Sequence, residues 1–329
     1  MKGVSQRDVN TVLSLMKKGL LHIFIVLCAS PAALGQQDAQ FTQYMFNTLF
    51  YNPAFSGVDG VTRVTATHRS QWLGYQSSFD DGGAPTTQIL SINTPVYKLR
   101  GGAGFYVLND QLGALNNLEI QGSYAYQFGF RDSKLSLGIR VGAYAQTLDF
   151  DKYRAIDKDD PFLTGGRESQ VRPDLAAGLF YRREKYYVGV GVNHLLRSEF
   201  DFGENERNAL ENHLSFVAGY YYDVNFDLQI HPTVLVKTDF NGYSFDFGAI
   251  ATVRNTMWGG LSFRQSEAAI LIIGYNLLKD KSLKAGYALD YIIKDQQAKE
   301  TTSHELMLSY ELPVPRSGKK IIRTPRYRH

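Results

Sequence analysis

From about residue 61 to residue 312 the chain alternates apolar and polar residues with a period of two. No stretch after residue 36 sustains the 3.6-residue period of an amphipathic helix, and none is apolar enough for a membrane-spanning helix. Between Lys134 and Leu148, one set is Leu135, Leu137, Ile139, Val141, Ala143 and Ala145, and the other is Ser136, Gly138, Arg140, Gly142, Tyr144 and Gln146. Such alternation dictates strands with two unlike faces. Fourteen segments repeat it: 61–69, 86–95, 101–109, 118–129, 134–148, 174–182, 185–194, 211–223, 227–238, 242–253, 256–265, 268–278, 282–294 and 303–312. Most reach the roughly 9–11 residues with which a tilted strand crosses a bilayer.

The connections carry separate information. Long segments such as 70–85, 149–173, 195–210 and 295–302 alternate with short turns such as 96–100 and Arg183-Glu184, while 239–241 and 266–267 break the rule. Membrane barrels pair short periplasmic turns with longer outer loops, and an even strand count keeps both ends of the wall on one side. An open sheet of fourteen strands would leave exposed edges, which closure removes. A soluble sandwich or barrel has the same period, but fourteen strands enclose a lumen too wide for wall side chains alone to fill. The expected fold is therefore an all-β, about fourteen-stranded antiparallel transmembrane barrel of the outer membrane. Aromatics near strand ends, including Phe128, Phe130, Tyr186, Tyr187, Tyr220, Tyr221 and Tyr222, fit interfacial girdles.

The chain divides into four parts. Residues 1–35 read as a signal peptide: Lys17 and Lys18 precede an apolar run from Leu20 to Leu27, and Ala33-Leu34-Gly35 offers a cleavage pattern. The run is too short to span a bilayer. Leu27 before Cys28 is too bulky for a lipobox, so the lipoprotein alternative is weaker. Residues 36–60 form an aromatic pre-barrel segment without strand alternation, 61–312 the barrel, and 313–329 a basic tail. The formal charge of +3 resides in residues 1–35, which hold Lys2, Arg7, Lys17 and Lys18 against Asp8. A neutral remainder with an acidic body argues against nucleic-acid partners.

No catalytic motif is present: no G-x-S-x-G, no H-E-x-x-H and no Walker loop. Gly101-Gly102-Ala103-Gly104 opens a strand, so it lacks the helix N-terminus that holds phosphate. Gly189 and Gly191 fall on one strand face, where small residues let a wall curve. The seven histidines lack metal-ligand spacing, and neither a metal nor a cofactor is expected. His68, Arg69 and Ser70 share a predicted strand end without a convincing third partner for hydrolysis. The chain thus reads as a binder and not an enzyme. Glu119, Gln121, Arg140, Gln146, Gln229, His231, Lys237, Asp246, Arg264, Lys284, Asp290 and Glu311 alternate with lipid-facing positions and are expected to satisfy one another in the lumen.

The pre-barrel segment must be buried, in the lumen or against a partner, because its apolar surface cannot stay solvated. Tyr44, Met45, Phe46, Asn52, Pro53 and Phe55 are its candidate partner-binding residues, joined by Lys319, Lys320 and Arg323 of the tail. Pro313 and Pro315 stop the last strand, and the tail's unbalanced charge suits an acidic partner or anionic headgroups.

Gln43-Tyr44-Met45-Phe46-Asn47, followed by Asn52-Pro53-Ala54-Phe55-Ser56-Gly57, resembles the N-terminal signature of the PorP/SprF family of Bacteroidota outer-membrane proteins. Further blocks follow in order: Arg69 to Gly74, Gly83 to Gln88, Asn109 to Gly113, Pro173 to Gly178, Asn193 to Leu195, and Ser303 to Leu308. The resemblance implies a role in type IX secretion, exporting or anchoring surface adhesins such as those of gliding motility. It further implies contacts with other secretion components, a secreted adhesin and outer-membrane lipids. A passive or specific channel for small solutes or lipids is the alternative. The basic tail beyond the last strand departs from barrels that end on that strand.

Overall fold

The computed structural model describes residues 38–75, 83–152, 166–202, 208–294 and 299–312. The first wall strands are β1 (Arg63–Ser70), β2 (Thr86–Val96), β3 (Gly101–Leu112) and β4 (Leu115–Gly129). They continue through β5 (Ser133–Asp149), β6 (Arg167–Arg183) and β7 (Tyr186–Asn193). Two short strands, β8 (Glu199–Phe200) and β9 (Asn208–Ala209), pair only with each other. The wall resumes with β10 (His213–Tyr220), next to the two-residue β11 (Tyr222–Asp223), then β12 (Leu228–Thr238) and β13 (Tyr243–Val253). It ends with β14 (Met257–Arg264), β15 (Ala268–Asn276), β16 (Leu283–Ile292) and β17 (Thr302–Glu311).

Every neighbour is antiparallel. The ring closes where β1 meets β17, with Arg63 opposite Glu311 and Ser70 opposite His304, and β10 meets β12 directly. Leaving out β8, β9 and β11, fourteen strands form the closed wall expected from the sequence. The wall begins and ends on the short-turn side.

The outward face is apolar. Ile139, Val141, Leu261, Leu271, Ile273, Leu306 and Leu308 are all exposed, whereas Arg69, Arg140 and Arg264 are among the largest fully buried side chains. This inversion of a soluble core is what a lipid solvent selects.

Three local features differ from the sequence reading. β6 begins at Arg167, not at residue 174: Arg167–Pro173 pairs with β5, although β7 joins β6 only from Ala177 onward. Proline is tolerated there because one side of the strand has no ladder partner. Tyr187 and Tyr221 leave the girdle set. Tyr187 is buried inside, and Tyr221 stacks on His231 at 4.2 Å, because neighbours in a strand point to opposite faces. Finally, His68 and Ser70 lie on the outer wall, 3.1 Å apart, while Arg69 points into the lumen.

Candidate functional site

The lumen is filled by residues 38–58, so the interior that wall side chains alone could not fill becomes a packed core. Phe41, Tyr44, Phe50, Tyr51, Ala54 and Val58 join Ile89, Tyr106, Leu108, Phe180, Tyr187, Val217 and Leu235 of the wall in one cluster. Phe50 meets Phe41, Tyr51 and Tyr106 edge-to-face at centroid distances of 5.1–5.8 Å, the geometry favoured by ring quadrupoles.

The segment coils as single turns, Tyr44–Phe46, Thr48–Tyr51 and Pro53–Phe55, because its sequence caps and breaks them in quick succession. The Asn52 side chain accepts from the Ala54 amide at 2.9 Å, and Pro53 supplies a preset φ at the first position of the last turn. Asn52 also ties the segment to the wall, donating to the Leu179 carbonyl at 3.0 Å.

Wall glycines make room for it. A Cβ at Gly178 would lie 2.0 Å from Asn52 Oδ1, one at Gly138 2.2 Å from the Ala54 nitrogen, and one at Gly191 2.2 Å from the Tyr51 carbonyl. For Gly191, close approach of this segment is therefore the constraint, in place of the wall curvature read from sequence, whereas at Gly189 a Cβ would first meet Phe180 of the wall at 2.7 Å and then Asn52 at 2.9 Å.

Charged wall residues hold the segment's backbone. Glu305 accepts from the Thr42 and Gln43 amides at 2.6 and 2.8 Å. Arg140 donates to the Phe50 carbonyl at 2.7 Å, and Ser215 donates to the Tyr51 carbonyl at 2.8 Å. Arg69 pairs with Asp290 at 2.8 Å and touches Glu305 at 3.7 Å, while Thr42 donates to Asp290. Arg264 pairs with Asp246 at 3.0 Å and reaches Asp290 at 3.6 Å. Charges buried this deeply persist only when paired.

The segment crosses the whole lumen. Asp38 sits at the long-loop mouth, where His194 Nε2 approaches it at 2.7 Å and His213 at 3.6 Å, while His194 Nδ1 lies 3.0 Å from Asp174. Asp59 sits at the short-turn mouth, bound by Arg63 and, at 3.1 Å, by Arg182. Arg63 and Lys284 then share Glu311 at 2.8 and 3.0 Å.

Burial alone would raise the Asp38 carboxyl, but His213 and His194 hold it below the usual carboxylate range. Burial alone would lower His194, but Asp38 and the bond to Asp174 hold it well above the ordinary histidine value. A raised histidine stabilises the fold fully below its ordinary 6.5 and loses that contribution as pH rises through its folded value. A depressed carboxyl contributes fully above its ordinary 3.8 and loses the contribution as pH falls through its folded value. The latch is therefore fully set between 3.8 and 6.5 and loosens on the alkaline side. Amide protection at Ala39 and Gln40, corrected for intrinsic exchange, is expected to fall as pH rises above the ordinary histidine value of 6.5 and to lose that dependence in His194→Gln. Protection that stays flat over that rise would remove the latch.

Of the residues singled out from sequence, Tyr44, Asn52 and Pro53 are buried inside the barrel, and Met45, Phe46 and Phe55 are half-buried against the same packing. Lys319, Lys320 and Arg323 lie outside the described residues. The luminal set read from sequence includes Arg140, Asp246, Arg264 and Asp290, which do pair or hold the segment. Sequence reasoning missed Asp38 as the segment's anchoring end, and Asp174, His194 and Glu305 as the wall groups that hold it. The last three stand in the short blocks Pro173 to Gly178, Asn193 to Leu195 and Ser303 to Leu308, and that shared membership was the available signal. Among the described residues, no group of three or more His, Cys, Asp or Glu side chains is arranged to hold a metal ion.

A family model described as type IX secretion system membrane protein PorP/SprF matches residues 33–310. No curated protein matches the chain in sequence. Among solved structures, a mutant of the TodX monoaromatic hydrocarbon channel is similar with a TM-score of 0.45 and 11% identity, over 80% of this chain and 93% of that one. Omp33 of Acinetobacter baumannii gives 0.42 and 9%, over 77% and 99%. A FadL homologue of Pseudomonas aeruginosa gives 0.41 and 11%, over 76% and 90%.

Proposed function

This chain belongs to the PorP/SprF family of type IX secretion system membrane proteins, and we propose from that premise that it is a binding scaffold for export or surface attachment of adhesin-like clients. The observation that carries the scaffold reading is the filled lumen: residues 38–58 occupy the space a steady pore would need, tied to the wall along their length. A solute or lipid channel, the competing reading, requires that segment to leave. Action by binding also fits the interior, where Arg69, Arg264, Asp246, Asp290 and Glu305 are spent on one another and on backbone amides.

In the proposed orientation the short turns face the periplasm and the long loops face outward. The loops on the outward side meet the secreted client. The wall ends meet periplasmic secretion components, with Lys319, Lys320 and Arg323 supplying positive charge to an acidic partner. Tyr44, Met45, Phe46, Asn52, Pro53 and Phe55 take part by shaping the lumen's contents, and would meet a partner directly only where that partner reaches into a mouth.

Deleting the gene is expected to strip specific adhesins from the cell surface while leaving other outer-membrane proteins in place, read by surface proteomics. Restoring a chain truncated at Pro313 in the same strain tests the tail. An unchanged surface proteome on deletion sinks the secretion role, and a large steady conductance of the wild-type barrel in planar bilayers favours the channel.

A further inference from the structure

The apolar outer face is not equally tall around the wall. An apolar band of about 25 Å, crossed by strands that gain about 5 Å of height per outward residue at a tilt of roughly 40°, needs about five outward residues per strand. β5 supplies six, Leu135, Leu137, Ile139, Val141, Ala143 and Ala145. β1 supplies two, Val64 and Ala66, and then turns polar with His68 and Ser70. β2 turns polar above Leu90, and β3 above Val107.

The polar positions are aligned. His68 stands opposite Gln88, and Gln88 opposite Asn109; Ser70 stands opposite Thr86, and Thr86 opposite Gln111. Six polar side chains thus form a block two residues tall and three strands wide, in the half of the wall nearer the long loops. Its upper row continues along the rim as Asn116, Thr147 and Ser169, while its lower row ends at Leu118. Two internal contacts use part of their capacity: Asn109 donates to Gln88 at 3.2 Å, and His68 lies 3.1 Å from Ser70. Among the described residues, the Gln88 amide hydrogens and the Asn109 carbonyl have no further partner. A hydrocarbon surround leaves such groups unsatisfied.

We infer that this block is an interface for a second copy of the chain, packed wall to wall about a two-fold axis. Two properties select that occupant over a lipid headgroup. First, the block holds no Lys or Arg: Arg63 and Arg69 of β1 turn inward, so nothing here matches a phosphate. Second, Ser, Thr, Gln and Asn each carry donors and acceptors, so the same patch on a symmetry mate completes it. Ala66, Ser70 and Thr86 are small, which lets two walls approach. The inference rests on the membrane placement but not on the secretion role, so the two fail separately.

The test uses the full chain in intact outer membranes. With Cys28 replaced by Ser, Gln88→Cys or Asn109→Cys is oxidised mildly and run on non-reducing gels. A homodimer at least about tenfold more abundant than from Leu261→Cys, on the far wall, is the expected result. In a second arm, the mass of the wild-type barrel in lipid nanodiscs is compared with that of Gln88→Leu/Asn109→Leu. The wild type is expected to be dimeric, and the variant monomeric with its heat-modifiable gel shift retained. A monomeric wild type without cross-links overturns the inference, as does a cross-link to a different protein. Should the leucine variant fail to fold, the cysteine arm alone decides.

Discussion

Replacing Gly138 and Gly178 together with valine is expected to expel residues 38–58 from the lumen and convert a silent barrel into a conducting one. Both glycines lie against the segment and not against lipid. The Cβ at Gly138 would sit 2.2 Å from the Ala54 nitrogen, and at Gly178 2.0 Å from Asn52 Oδ1. The Ala54 contact is backbone, and Asn52 is fixed by its cap and its bond to Leu179, so neither neighbour can swing aside cheaply. Overpacking of this kind costs roughly 1–3 kcal/mol per site where the surroundings yield, and more where they do not. Gly138 and Gly178 are register partners, so both clashes fall on the same turn, Pro53–Phe55, and together are expected to exceed what the segment can absorb in place. Planar-bilayer recordings are expected to change from no steady current to discrete openings, with amide exchange through Phe41–Ala54 rising at least about a hundredfold. A variant that folds, stays silent and keeps those amides protected contradicts the role given to the glycines.

The wall was legible in the sequence because period two has one structural meaning once no edge can be left open. The strand count, the outward set through Leu137, Ile139 and Val141, and inward Arg140, Asp246, Arg264 and Asp290 all follow from parity alone. Parity also carries the errors. Runs of adjacent aromatics such as Tyr186-Tyr187 and Tyr220-Tyr221-Tyr222 straddle both faces, so treating them as one girdle could not succeed. The contents of the lumen were legible only as a need for burial. Nothing in Phe41 to Phe55 states which of two burial sites it occupies, since an apolar segment satisfies the same demand in a lumen or on a partner. What decides is the complement on the wall: glycines where the backbone passes, and Glu305, Arg140 and Ser215 where its amides and carbonyls need partners. That complement is spread over β5, β6, β7, β10 and β17 and converges only once register is known.

The same complement implies a second large effect. Arg69→Met is expected to destabilise the barrel by about 3–5 kcal/mol, the usual cost of removing one partner from a buried pair. Arg69 is 1% exposed, and its partners Asp290 and Glu305 are fully buried, so no water screens the charges left behind. Arg264 reaches Asp290 at 3.6 Å but is already committed to Asp246, so it cannot neutralise the remaining two carboxylates. Two amides of the segment also depend on Glu305 staying ionised, and protonating it to relieve the repulsion would weaken the hold on Thr42 and Gln43. Arg63→Met removes its contacts to Asp59 and Glu311, but Arg63 is about a quarter exposed and the two carboxylates keep Arg182 and Lys284, so it is expected to cost less than Arg69→Met. Urea unfolding in lipid vesicles, followed by the heat-modifiable gel shift, compares the two. Equal losses for Arg69→Met and Arg63→Met would mean that burial does not set the worth of these pairs, and that the interior is wetter than its packing implies.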